Sequence, residues 1–166
     1  MMGPSSLNWL GLSQAIASGN FRIIGQGKNH DNVIYISDVV SGLRLCGETP
    51  GINDQVYLIG GKPSVTINQI VHAIAIELGV EISGVHLPVA PYRAFNRMGE
   101  AIYKTFGVEV PGIQRYALFL ADKILDISKA ERELGFQPKV SFADGIHQTI
   151  GWYREKGLIQ APANSR

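Results

Sequence analysis

Apolar residues recur at helical spacing between Ile67 and Leu78, and this is the clearest pattern in the chain. One face of a helix over this segment would hold Ile67, Ile70, Val71, Ile74 and Leu78. Thr66, or Ser64 before it, is placed to cap the first turn, and Gly79 follows the last apolar position. The pattern predicts a helix with one buried face.

Two further helices are predicted near the C-terminus. One covers Ile127 to Leu134, with Asp126 or Ser128 as its N-cap. The other covers Phe142 to Lys156 and follows Ser141, a residue suited to the N-cap.

Weaker patterns predict helices elsewhere. They cover the segment between Leu7 and Gly19, the segment from Val39 to Cys46 with Asp38 as its cap, the segment from Pro91 to Gly107, and residues 113–122.

β-Branched and aromatic residues predict short strands between the helices. The best candidate is Val56 to Gly61, VYLIGG, which is apolar on both faces and is therefore predicted to be the central strand of a sheet. Shorter candidates lie at 21–25, 33–36 and 81–88. The alternation of strands and helices predicts an α/β fold. We expect residues 1–159 to form one unit and residues 160–166 to be a disordered tail.

Composition excludes several classes of function. The net charge is +1, from fifteen basic and fourteen acidic side chains without a basic stripe, so nucleic-acid binding is not expected. No stretch approaches the ~20 apolar residues of a membrane span, and the N-terminus lacks the pattern of a signal peptide. We therefore expect a cytoplasmic protein. Cys46 is the only cysteine, so there is no internal disulfide and no cysteine-rich metal site, and no metal site is predicted.

The chemistry of a dinucleotide-dependent enzyme is not encoded in these residues. The loop GQGKN lacks the G-x-G-x-x-G spacing that brings a backbone close to a pyrophosphate. None of the six tyrosines has a lysine four residues later. We accordingly predict no catalytic residue in the chain.

The polar loop GQGKNHDN holds candidates for ligand contact. Lys28, His30 and Asn32 are able to contact a polar group, although surface loops often have this composition for reasons of turn formation alone.

Several segments, in order along the chain, resemble the extended short-chain dehydrogenase/reductase family, the NAD-dependent epimerases and dehydratases. They are Gly3-Pro4, YISDV from Tyr35, VYLIGG, DISKAERELGFQP from Asp126, and the segment from Ser141 to Tyr153. The resemblance implies the C-terminal part of such a protein: an incomplete Rossmann-type domain with a small substrate-binding subdomain.

The resemblance also implies site residues and a cofactor. Gly3 and Pro4 would lie beside the cofactor, which is NAD or NADP in the complete family protein, and none is expected for this chain alone. Substrate contacts would come from Lys28, His30, Asn32, Tyr35 and Arg115.

One departure bears on the substrate. The family's nucleotide-sugar enzymes usually carry an arginine near the position of Asp31, where it pairs with a diphosphate, and a second arginine before Asp126 is also missing. The segment FLAD looks closer to the 3β-hydroxysteroid dehydrogenase-like branch. This favours a bulky alicyclic or terpenoid alcohol, although a sugar remains open.

Two interpretations follow. In the first, the chain is the substrate-binding portion of an NAD(P)-dependent oxidoreductase or epimerase, separated from its N-terminal cofactor domain by truncation, by proteolysis or by a split gene. In the second, it is a non-catalytic module that binds a small ligand or a partner chain. Both predict that the chain alone is inactive, and we expect it to associate with itself or with the missing domain.

Overall fold

A computed structural model describes residues 1–19, 21–82, 84, 86–107 and 121–159. Three of the expectations above fall outside these ranges. They are the substrate contact assigned to Arg115, most of the helix predicted at 113–122, and the tail at 160–166.

The described residues form six helices. Their bounds are α1 (Leu7–Ala17), α2 (Ile36–Glu48), α3 (Ile67–Leu78), α4 (Ala90–Phe106), α5 (Ser128–Leu134) and α6 (Phe142–Glu155). The predicted bounds of α3, α5 and α6 are confirmed to within one residue at each end, but the N-cap of α5 is Ile127 rather than Asp126 or Ser128.

Four two-residue strands pair between the helices: β1 (Ile23–Ile24), β2 (His30–Asp31), β3 (Val65–Thr66) and β4 (His86–Leu87). β1 and β4 are parallel, with Ile23 opposite His86. β2 and β3 are antiparallel, with His30 opposite Thr66. On its other side Asp31 forms an isolated parallel bridge to Lys123. The architecture is mixed α/β, as the sequence predicts, and each sheet in the described residues has two strands.

The segment Val56 to Ile59 departs from its prediction as a central strand. Within the described part of the chain it pairs with no strand. Its side chains alternate: Tyr57 and Ile59 pack against the cluster around α5, whereas Val56 is 80% and Leu58 51% exposed. Both faces of this segment are apolar, as predicted, but only the face with Tyr57 and Ile59 is covered by other residues.

Local capping explains where two helices begin. The Thr66 hydroxyl accepts from the Gln69 backbone N–H, and the Gln69 side chain accepts from the Thr66 N–H, which is a reciprocal capping box. The Ser141 hydroxyl accepts from the Asp144 N–H at the start of α6.

Asp38 does not cap α2, contrary to its predicted role. The helix begins earlier, at Ile36, with Tyr35 as its N-cap. Asp38 is buried, and its carboxylate accepts instead from the backbone N–H of Val140, at 3.0 Å. A buried carboxylate needs a donor, and here the donor comes from a distant segment.

The core has two apolar clusters. The larger one lies where α1 and α6 pack against α3, and it includes Ile74, Ile150 and Tyr153. The smaller one consists of Ile34, Ile127, Ala130, Leu134 and Phe136, and α2 packs against it through Val39, Leu45 and Cys46.

Candidate functional site

A cavity of about 350 Å³ opens between α1, α3 and β2. Seven apolar or aromatic side chains form most of its wall: Met1, Trp9, Leu12, Phe21, Ile67, Ile70 and Val71. Its volume lies at the lower end of the range for small-molecule pockets, ~300–1,000 Å³. The position and the lining make it a candidate for a ligand site.

Helical spacing explains which side chains reach the cavity. On α1, Asn8 and Leu12 are four residues apart and therefore lie on one face. On α3, Ile67 stands three and four residues before Ile70 and Val71, which puts all three on a second face. The packing of α1 against α3 brings the two faces together.

The only oppositely charged pair in the described lining joins β2 to the segment before α5. The Nζ of Lys123 lies 3.6 Å from the Asp31 carboxylate, and both side chains are about one-third exposed. The Lys123 N–H donates to the His30 carbonyl at 2.8 Å, so the backbone fixes the position of the lysine. An apolar cavity with one ion pair at its edge can hold an apolar body and orient one polar group.

Hydrogen bonds between His30 and Asp122 also join β2 to the segment before α5. The His30 backbone N–H donates to the Asp122 carboxylate at 2.7 Å, and the His30 ring nitrogen Nδ1 lies 3.4 Å from the same oxygen. These hydrogen bonds, chiefly the one from the backbone, lower the pKa of Asp122. The same hydrogen bonds hold the segment around Asp122 against β2.

Asn32 uses both ends of its amide within the protein. Its nitrogen donates to the Gly61 carbonyl at 2.8 Å, and its oxygen accepts from the Leu125 N–H at 2.7 Å. The residue is buried. These two bonds give Asn32 a structural role in joining three segments of the chain.

The other residues predicted from sequence do not line the cavity. Lys28 is exposed, and Tyr35 is buried at the start of α2. Of the described candidates for substrate contact, Lys28, His30, Asn32 and Tyr35 lie outside the lining. Gly3 packs its backbone against Ile36, where a Cβ would lie 2.6 Å from the Ile36 Cγ2 atom. Their roles toward substrate and cofactor stay predictions.

Sequence reasoning missed the cavity itself. Trp9 and Leu12 were visible only as members of a weakly patterned helix, and Lys123 stands 92 residues after Asp31. Asp31 and Lys123 meet because β2 pairs with the segment around Lys123. No pattern of neighbouring residues predicts that pairing.

A tyrosine and a lysine do meet in space, at Tyr57 and Lys129. The Nζ of Lys129 lies 4.7 Å from the centre of the Tyr57 ring, and the phenol donates to Glu133 at 2.8 Å. Burial and the Glu133 hydrogen bond raise the pKa of Tyr57 to about 12. A tyrosine acting as general base needs the opposite shift. The contacts of Tyr57 with Glu133 and of Lys129 with the Val56 carbonyl join the segment at 56–59 to α5.

In the described ranges, no three histidine, cysteine or carboxylate side chains converge in a way that would hold a metal ion. Among the helices in those ranges, none has the length and apolar character required to cross a membrane.

Two curated relatives match most of the chain. It is 30% identical over 144 residues to dTDP-glucose 4,6-dehydratase of Streptomyces antibioticus, matching 87% of this chain and 35% of the relative. It is 27% identical over 144 residues to 3beta-hydroxysteroid-dehydrogenase/decarboxylase isoform 1 of Arabidopsis thaliana, matching 77% of this chain and 32% of the relative. The chain thus spans about a third of the length of these relatives. No family model matches it.

Solved structures share the fold. A nucleoside-diphosphate-sugar epimerase from Pseudomonas aeruginosa superposes with a TM-score of 0.69 at 21% identity, over 96% of this chain and 47% of that protein. UDP-glucuronic acid 4-epimerase from Bacillus cereus, solved with UDP-glucuronic acid and NAD, superposes with a TM-score of 0.61 at 23% identity, over 87% of this chain and 38% of that protein. The relatives and structural neighbours of this chain are therefore members of the NAD-dependent epimerase/dehydratase family, the extended short-chain dehydrogenases, as the sequence motifs predict.

Proposed function

We propose that this chain is the substrate-binding portion of an NAD(P)-dependent oxidoreductase or epimerase that acts on a hydroxyl-bearing substrate. The observation that carries the proposal is the joint occurrence of two features. The chain matches less than half of each dehydratase or epimerase reported above, and it contains a ligand-sized cavity without the acid/base pair that such chemistry needs.

The glycine-containing loop after β1 does not have the spacing of a dinucleotide loop, and the Asn68 side chain packs against it, since a Cβ on Gly27 would lie 2.1 Å from the Asn68 side-chain oxygen. A pyrophosphate needs free backbone N–H groups at such a loop. In this proposal the cofactor is held by polypeptide other than the described residues, and this chain supplies substrate contacts.

A partner surface fits the same proposal. The exposed faces of Val56 and Leu58 lie on an extended segment, and the N–H groups of residues 56–60 donate to no residue that the structure describes. Unpaired backbone groups beside apolar side chains attract another chain. The cofactor-binding portion, or a second copy of this chain, would cover them.

The alternative is a non-catalytic module derived from the same family. It would use the cavity to bind a small ligand and would need no cofactor at any stage. Both alternatives give an isolated chain that neither binds NAD(P) tightly nor oxidises alcohols.

Mass spectrometry of the natural protein, read together with the coding DNA upstream, separates these alternatives. The proposal expects a longer polypeptide, or a co-purifying one, that carries a glycine-rich dinucleotide loop and a Tyr-x-x-x-Lys pair. A natural product of only these 166 residues, purified without such a partner, would favour the module. Calorimetry of the isolated chain with NAD+ and NADP+ is the companion measurement, and micromolar affinity for either would contradict both alternatives.

A further inference from the structure

The cavity between α1, α3 and β2 is mostly apolar but has a polar edge made of opposite charges. Trp9, Leu12 and Phe21 supply one part of its wall, and Ile67, Ile70 and Val71 supply another. The Asp31 carboxylate and the Lys123 ammonium, 3.6 Å apart, offer an acceptor and a donor side by side.

We infer that this cavity binds a neutral compound with an apolar ring body and one hydroxyl or carbonyl group, and that the Asp31–Lys123 pair receives that group. The inference adds a substrate class to the proposed function. It rests on that function in one respect, namely that the bound compound is a substrate.

The charge balance at the edge favours a neutral ligand. Lys123 is already paired with Asp31, so the two together present no net charge. A hydroxyl group can donate to the carboxylate and accept from the ammonium without breaking the pair. A diphosphate would place negative charge beside Asp31, and a desolvated diphosphate needs cationic partners. Among the described lining residues Lys123 has the only cationic side chain.

The size of the cavity limits the ring body. About 350 Å³ is near the minimum for small-molecule sites, which suits a compact alicyclic compound better than a sugar joined to a nucleotide. Burial of apolar ligand surface against the aliphatic and aromatic wall contributes a favourable free energy of ~25 cal/mol per Å². The hydroxyl groups of a sugar would lose their hydrogen bonds to water and find no hydrogen-bond partner on that wall.

Tryptophan fluorescence of the 166-residue chain tests the inference, because Trp9 lines the cavity and Trp152 is the only other tryptophan. In a Trp152→Phe background, borneol should change the emission of Trp9 saturably. UDP-glucose should bind at least about tenfold more weakly. Circular dichroism of every variant verifies that it is folded.

Two kinds of variant distinguish the contribution of the apolar wall to binding from that of the Asp31–Lys123 pair. Leu12→Phe fills the cavity and should weaken borneol binding at least about tenfold, whereas Leu43→Phe, on a side chain that is 66% exposed on α2, should leave it unchanged. Lys123→Gln should weaken the binding of borneol about tenfold but leave unchanged the binding of bornane, the hydrocarbon of the same shape. Asp31→Asn should give the same selective loss.

Three outcomes would overturn the inference. They are tighter binding of UDP-glucose than of borneol, an equal loss of borneol and bornane in Lys123→Gln, and no saturable response to either ring compound. These outcomes are independent of whether a cofactor-binding polypeptide is found with the natural protein, so failure of the site and failure of the proposed function are distinguishable.

Discussion

Gly61 shows how a single residue can be fixed by its neighbours without any unusual backbone angle. A Cβ at this position would lie 1.9 Å from the Val33 carbonyl oxygen and 2.9 Å from its carbon, and both of those atoms are backbone. The Gly61 carbonyl also accepts from the Asn32 side chain. Close approach of two backbone segments, anchored by a buried amide, is therefore what requires glycine here.

Gly61→Ala should lower the free energy of unfolding by at least about 2 kcal/mol, because the added methyl group displaces backbone rather than a flexible side chain. Urea denaturation measures the change. Gly11→Ala is the matched control, since it lies within α1 with nothing near its Cβ, and it should stabilise the chain by about 0.5–1 kcal/mol. Equal effects at the two positions would show that segments 33 and 61 are not in contact.

At the scale of elements, α3 is the helix on which the candidate site depends. It packs against both α1 and α6, and its first two turns supply three of the cavity's wall residues. It begins with the capping box of Thr66 and Gln69 and ends at Gly79 with φ +71°. Both ends of α3 are therefore set by residues within or next to the segment. Because the helix begins at a fixed residue, the positions of its three wall residues are fixed as well.

Thr66→Ala should destabilise the chain by about 1 kcal/mol, because the Gln69 N–H at the start of α3 loses its acceptor. Thermal and urea unfolding report the change. Ser6→Ala is the control: Ser6 is the N-cap of α1 but its side chain makes no capping hydrogen bond, so its replacement should cost no more than a few tenths of a kcal/mol. A Thr66→Ala cost no larger than that of Ser6→Ala would mean that the box does not stabilise α3.

At the scale of the whole molecule, one surface of the described residues combines exposed apolar side chains with unpaired backbone groups. It consists of Val56 and Leu58 on the extended segment, and the backbone between them has unpaired N–H groups within the described structure. Extended segments in this state pair readily with other chains.

We therefore predict that the isolated chain associates with itself at high micromolar concentration. The double variant Val56→Lys, Leu58→Lys should raise the dissociation constant at least about tenfold, because two charges would be buried at the contact. Light scattering measures the association. Ile76→Lys is a control matched in exposure, since Ile76 on α3 is also 80% exposed, and it should have no effect. A monodisperse wild-type monomer with a cooperative melt would contradict the prediction.

The sequence by itself determined the elements whose causes lie within a few residues. The apolar spacing in α3, the cap at Thr66 and the cap at Ser141 act over three or four positions, and the helices begin and end where those signals predict. The lack of a Tyr-x-x-x-Lys pair and the order of the family motifs are likewise properties of the sequence alone, and the similarity to known dehydratases and epimerases agrees with that order.

Only the tertiary structure decided which distant segments meet. Asp38 was predicted to cap its own helix, yet it accepts from Val140, 102 residues away. The segment at 56–59 has the composition of a central strand, but pairing requires a neighbouring strand, and the described residues provide none. The edge of the cavity depends on Asp31 meeting Lys123 across 92 residues. Such contacts follow from the packing of whole elements against one another, which no local pattern of side chains encodes.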